Sequence, residues 1–126
     1  MKIKDRAPRQ QQAIERELKK AHSYFTSMRV QQRAAMKMRK APIHEPKPLE
    51  EDDIEENVAA TMQAHASACN AFDTHKEITM LYDQAASESL DYALSCIERL
   101  KKLSATEEEL APVWAEFEKH QMMLAH

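Results

Sequence analysis

The sequence predicts an all-α fold, and three observations lead to this prediction. The 126 residues contain no glycine, the residue that tight hairpin turns depend on. Only three Tyr and three Phe are available for β-strands. Apolar residues recur at spacings of three and four over long stretches. We expect a basic N-terminal helix (1–40), a Pro-rich linker (41–49) and an acidic three-helix antiparallel bundle (50–126).

The first predicted helix begins at Pro8, since proline suits the first helical position. Its apolar residues follow a 4-3-4-3 spacing and lie within about 80° of one another on a helical wheel. We call these residues the seam: Ile14, Leu18, Ala21, Phe25 and Met28. Because the linker is expected to separate this helix from the bundle, the seam is predicted to dock on a partner helix in another subunit, as in a coiled coil.

The linker is predicted from its prolines. Residues 41–49 hold three of the five prolines in the chain. Proline cannot continue a helix, and it moves the preceding residue toward extended backbone conformations. The acidic run after it, 50–56, suits the positive end of a helix, so Asp52 or Asp53 is expected to cap a second helix.

The second helix is predicted to end near residues 73–75. Thr74 and Glu77 match a capping box, and the apolar arc after Ile78 is displaced by more than about 100° from the earlier one. One continuous helix over 53–103 is the alternative. The apolar face before the turn consists of Ile54, Val58, Met62, Cys69 and Phe72, with His65 in the same arc.

The third and fourth predicted helices complete the bundle. The third, over about 75–103, carries a broad apolar face: Ile78, Leu81, Tyr82, Ala85, Tyr92, Cys96, Leu100 and Leu103. Two overlapping capping boxes, Ser104 with Glu107 and Thr106 with Glu109, predict the start of the fourth. Its apolar face consists of Leu110, Val113, Trp114, Phe117 and Leu124. Pro112 predicts a kink, or a short first turn that ends near Leu110.

Charge is divided sharply along the chain. Residues 1–47 hold 13 Lys and Arg against 4 Asp and Glu, a net +9, whereas residues 48–126 hold 5 against 17, a net −12. No acidic residue occurs in 18–44. A row of cations at helical spacing, the basic stripe, lies beside the seam: Lys19, Arg29, Arg33, Lys37 and Lys40.

The basic stripe predicts contact with an anionic surface. The simplest alternative is a solvated helix face whose long side chains cover apolar neighbours. Three kinds of partner remain as alternatives for residues 19–40. RNA phosphates would be contacted by the cations while Tyr24 or Phe25 stacks on a base. Anionic lipid head groups would attract a basic amphipathic helix. An acidic protein surface is the third, and it includes the acidic run 50–56 of this chain or of a neighbouring subunit.

Catalysis and cofactor binding are not expected. Without glycine, the chain has no phosphate-binding loop, dinucleotide fingerprint or nucleophile elbow. The six histidines lack the i, i+4 pairing of helical metal sites, and His65, Cys69 and Asp73 span too great a length of helix to share one ion. We therefore predict no enzymatic activity, no cofactor and no metal site.

The compartment is predicted from the cysteines and the hydropathy. Cys69 and Cys96 are too far apart along any helical hairpin to bridge, so we expect free thiols in a reducing intracellular compartment. Neither a transmembrane run nor a secretory signal is apparent. Cytosol and organelle matrix, including that of mitochondria, remain open.

The function that these features favour is that of a non-catalytic structural or accessory subunit of a larger assembly. Such a subunit would dock through its N-terminal amphipathic helix onto partner subunits and an anionic surface. A respiratory or ATP-synthase complex, a ribosome and a viral particle are the candidate assemblies. The alternative is an RNA-binding adaptor or ribosome-associated protein that uses the basic helix 19–40.

Overall fold

The computed structural model describes residues 6–41, 43–50 and 58–125. All secondary structure in these residues is α-helical, as predicted: α1 spans Pro8–Lys40, α2 spans Val58–Lys102 and α3 spans Glu107–Ala125. Pro42, the predicted caps Asp52 and Asp53, and the predicted core residue Ile54 lie outside the described residues. Residues 43–50 contain neither helix nor strand.

The turn predicted near residues 73–75 is wrong. Helix α2 is continuous over 45 residues, so the described chain has three helices where the sequence analysis predicted four. A straight-helix wheel drifts by about 20° per heptad relative to a 3.5-residue repeat, and this drift accumulates into much of the apparent displacement. Thr74 is an exposed residue inside the helix, although Thr74 and Glu77 resemble a capping box.

The arrangement of α1 also differs from the predicted detached arm. Side chains of α1 and α2 pair at three positions between residues 17 and 39: Glu17 with Arg99, Ser27 with Ser89, and Arg39 with Asp83. The α2 partner number falls as the α1 number rises, so the two helices run in opposite directions. Most contacts between elements join α1 and α2. Helix α1 is therefore one of the three packed helices.

The core lies where the three helices meet. Its buried residues come from α1, α2 and α3: Ala21, Phe25, Leu90, Ala93, Cys96, Ile97 and Phe117. Several residues of the predicted faces lie outside it and are exposed: Val58, Met62, Ile78, Leu81, Tyr92 and Trp114. A helical wheel shows only which residues share one face of a helix. Whether that face is buried depends on how far the neighbouring helices extend along it.

The connection between α2 and α3 is made without glycine. Ser104 has a φ of 63°, in the left-handed region that glycine usually occupies at a helix C-terminus. Its backbone N–H donates to the carbonyl of Lys101, and that of Ala105 donates to the carbonyl of Leu100. These two bonds form a Schellman motif. Ser104 therefore ends α2 and does not cap α3.

The start of α3 follows the second predicted capping box. The Thr106 hydroxyl accepts from the Glu109 backbone N–H at 3.1 Å, and the Glu109 carboxylate accepts from the Thr106 backbone N–H at 2.9 Å. This confirms the predicted cap. The short first turn expected near Leu110 is not observed, because α3 continues through Pro112. Pro8 is at the start of α1, as predicted.

Candidate binding surface

The predicted docking seam is packed within the chain itself. Ile14, Ala21, Phe25 and Met28 are buried, and Leu18 is half-buried. Phe25 stacks on the ring of His120 in α3, with the ring centroids 5.1 Å apart. The seam thus packs mainly within the chain, although Leu18, Ala21 and Phe25 also line an open groove between α1 and α3. Docking of the seam on another subunit stays a prediction.

The N-terminal ends of α1 and α3 are joined by a salt bridge that the sequence analysis missed. The buried Arg6 guanidinium donates two hydrogen bonds to the Glu109 carboxylate, at 2.7 and 3.0 Å. These bonds, together with those from Thr106, lower the pKa of Glu109 from 4.5 to about 2. No local pattern marks Arg6, because its partner lies 103 residues further along the chain.

A second ion pair joins α1 to α2 at the edge of the core. Arg99 donates to the buried Glu17 carboxylate at 3.0 Å, and Lys20 lies 3.7 Å from it. Burial opposes ionisation of Glu17, yet the hydrogen bonds from Arg99 and Cys96 and the nearby cations lower its pKa overall. Burial, followed by the hydrogen bond to Glu17, raises the pKa of the Cys96 thiol. These groups stabilise the helix pair.

Both cysteines are free thiols, as predicted. They lie on one continuous helix, 27 residues and about 40 Å apart at 1.5 Å per residue. The Cys69 sulfur lies 3.5 Å from the His65 imidazole, one helical turn away. Within the described residues, no group of three or more His, Cys, Asp or Glu side chains is placed to hold a metal ion.

His120 is buried, and its Nδ1 lies 3.2 Å from the Glu116 carboxylate. Its Nδ1 lies 2.7 Å from the Glu116 carbonyl oxygen, and its Nε2 lies 3.2 Å from the Arg29 guanidinium. The residue completes a 3-4-3-4 spacing with the apolar face of α3: Leu110, Val113, Phe117, His120 and Leu124. That spacing is the signal that could have predicted its burial.

The basic stripe divides into three parts. Arg29 is half-buried and holds α1 against α3 through His120, so it is primarily a packing residue. Lys19 lies at the edge of an open groove between α1 and α3 with Arg16, His22 and Glu116. Arg33, Lys37 and Lys40 are exposed and form no ion pair among the described residues.

These last three residues define the cationic surface: Arg33, Lys37 and Lys40. They occupy the final turns of α1, where cations also suit the negative end of the helix dipole. Arg39 lies on the other side of α1 and pairs with Asp83 of α2. Asp83 is thus already paired, and among the described residues no carboxylate forms an ion pair with the cationic surface.

The comparisons add no relative on which to base a function. Neither protein-family models nor curated proteins nor solved structures give a match to this chain. Within residues 6–41, 43–50 and 58–125, every helix is too short or too polar to cross a lipid bilayer. The candidate surface therefore rests on geometry and charge.

Proposed function

We propose that this chain is a non-catalytic accessory subunit of a larger assembly, and that it binds an anionic surface of its partner through Arg33, Lys37 and Lys40. The observation that carries the proposal is the exposure of these three cations on one face of α1, without an ion pair among the described residues. The absence of acidic residues from 18–44 supports it, because a helix that is merely solvated usually mixes both signs.

The revised docking mode differs from the one that the sequence favoured. The apolar seam packs within the fold, while the adjoining basic stripe presents Arg33, Lys37 and Lys40 to solvent. The free thiols of Cys69 and Cys96 are in keeping with a reducing compartment, which belongs to the same proposal. Binding by cations predicts an association that weakens with salt, because screening reduces the attraction between exposed charges.

The test is affinity purification of the tagged full chain from its native source at low and high salt, with quantification of the proteins and nucleic acid recovered. The binding variant carries Arg33→Gln, Lys37→Gln and Lys40→Gln. The matched control carries Lys76→Gln, Lys102→Gln and Lys119→Gln, three exposed positions with the same loss of charge. The proposal is supported if the wild-type chain recovers the same set of proteins in repeated purifications, the control variant retains them and the binding variant loses them.

Two outcomes contradict the proposal. Recovery of RNA in place of a fixed protein set, lost in the same variant, favours the RNA-binding adaptor. Equal recovery of partners by the binding variant and the control shows that these cations are a solvated helix face.

A further inference from the structure

Helix α3 is shorter than the pair that it packs on. At 1.5 Å per residue, its 19 residues span about 28 Å, against about 50 Å for α1 and about 67 Å for α2. Near its C-terminus, the Met123 carbonyl accepts a hydrogen bond from the Gln32 side chain at 3.2 Å. Helix α1 continues for two further turns beyond this point. Within the described residues, no third helix packs on the α1–α2 pair there.

An open groove of about 930 Å³ begins where α3 ends. It is lined by residues from all three helices: Gln32, Met36, Arg39, Asp83, Ser87, Met123 and Leu124. We call it the methionine groove, since Met36 is 49% exposed and Met123 is 41% exposed. Methionine is flexible and polarisable, and it is common on surfaces that accommodate partner helices.

The charges around the methionine groove favour one class of partner. Arg33 precedes Met36 by three residues and Lys40 follows it by four, so both are its neighbours on the surface of α1. Both cations are exposed and form no ion pair among the described residues. Asp83, the one carboxylate in the lining, is paired with Arg39. Among the described residues, the rim formed by α1 thus carries unpaired positive charge beside the apolar side chains of Met36 and Met123.

We propose that the methionine groove binds an acidic amphipathic helix of another protein, which takes the place of a third helix beyond the end of α3. Its apolar residues, spaced i, i+3, i+4 and i+7, pack on Met36 and Met123. Its carboxylates face Arg33 and Lys40. This inference rests on the proposed function, because it specifies the chemistry of the anionic partner at the same cations.

The experiment uses the full chain with ¹³C-labelled methionine methyl groups, observed by NMR. The probe is a synthetic 16-residue peptide with Leu on one helical stripe and Glu on both flanks. The control peptide has the same composition in an order that distributes Leu around the helix. We expect the probe to shift the methyl signals of Met36 and Met123. The signal of Met62, which is 55% exposed elsewhere on α2, should stay unchanged.

The affinity of the probe is then measured by fluorescence polarisation with three variants of the full chain. Met36→Glu should weaken binding at least tenfold, since it places a negative charge in the apolar floor. Met62→Glu, the matched control, should change binding less than twofold. Arg33→Gln with Lys40→Gln should weaken binding and reduce its salt dependence.

Several outcomes overturn the inference. These are equal binding of the two peptides, equal shifts at Met62 and Met36, or no methionine shift at millimolar probe. The binding variant with three Gln substitutions can lose its partners in the purification while the probe shifts no methionine signal. That result supports the proposed function and shows that the methionine groove does not bind the acidic helix. If the probe binds the groove but the triple Gln variant keeps all its partners, the proposed function is wrong.

Discussion

Arg29 of α1 donates a hydrogen bond to Nε2 of the buried His120 of α3, across 3.2 Å and 91 positions of sequence. A guanidinium group can only donate, so Nε2 must accept. Nδ1 lies 2.7 Å from the Glu116 carbonyl oxygen and therefore carries the proton. Both ring nitrogens are thus engaged, and the imidazole joins α1 to α3.

His120→Ala should lower the free energy of unfolding by about 2–4 kcal/mol, because it leaves a cavity beside Phe25 and removes the acceptor for Arg29. Urea denaturation followed by circular dichroism measures the change. Lys119→Ala, at the exposed neighbouring position, is the control and should stay within about 0.5 kcal/mol of the wild type. Equal effects of both substitutions would contradict the buried position of His120.

The Arg6–Glu109 salt bridge should make stability depend on pH in the acid range. Folding lowers the pKa of Glu109 from 4.5 to about 2. The ionised carboxylate therefore contributes its full stabilisation of the fold at pH values above 4.5. It is lost as the pH falls from about 4.5 toward about 2. Wild type should therefore exceed Glu109→Gln in stability at pH 6, and the difference should shrink toward pH 2.

The measurement for this salt bridge is urea unfolding of both proteins at several pH values. Glu108→Gln changes the charge equally at an exposed position and leaves the Arg6 contact intact, so it serves as the control. A constant difference between wild type and Glu109→Gln from pH 6 to pH 2 would show that the salt bridge is not formed.

Ser104→Gly should stabilise the protein by about 0.5–1 kcal/mol. The backbone of Ser104 is left-handed, with a φ of 63°. This conformation costs about 1–2 kcal/mol for a residue with a Cβ, whereas glycine adopts it without that cost. The greater freedom of glycine in the unfolded chain offsets part of the gain. Thermal and urea unfolding measure it. Ser67→Gly, inside α2, should instead destabilise by roughly 0.5 kcal/mol.

Thr74→Pro distinguishes the continuous α2 from the predicted turn. Inside a helix, proline removes a backbone hydrogen bond and clashes with the preceding turn, so we expect a loss of about 3 kcal/mol or more. His44→Pro, in the helix-free residues 43–50, should have a much smaller effect on the melting temperature. Tolerance of proline at position 74 would restore the two-helix interpretation.

Much of the local structure was predictable because its causes lie within one or two helical turns. The lack of glycine and the apolar spacing predict an all-α chain. Pro8 marks the start of α1, and Thr106 with Glu109 marks that of α3. The turn at Thr74 was predicted wrongly, since a capping-box pattern of two residues also occurs within a helix. A local pattern identifies a cap only where the helix actually ends.

The candidate site was less predictable, because its properties depend on which faces meet. The basic stripe is visible in the sequence, but only the packing of α3 separates the buried role of Arg29 from the exposed cations at Arg33 and Lys40. The methionine groove has no sequence signature at all. It arises because α3 ends where α1 and α2 continue.

By itself, the sequence determined the helical class, the Thr106–Glu109 cap of α3 and the division of charge, all of which depend on composition and on neighbours within a few positions. Only the tertiary structure decided that the seam of α1 packs on the chain's own α2 and α3, and that Arg6 and Glu109 form a salt bridge. The physical reason is that an apolar stripe requires burial but does not specify its partner. The partner is chosen by the lengths and directions of helices that lie far apart in the chain.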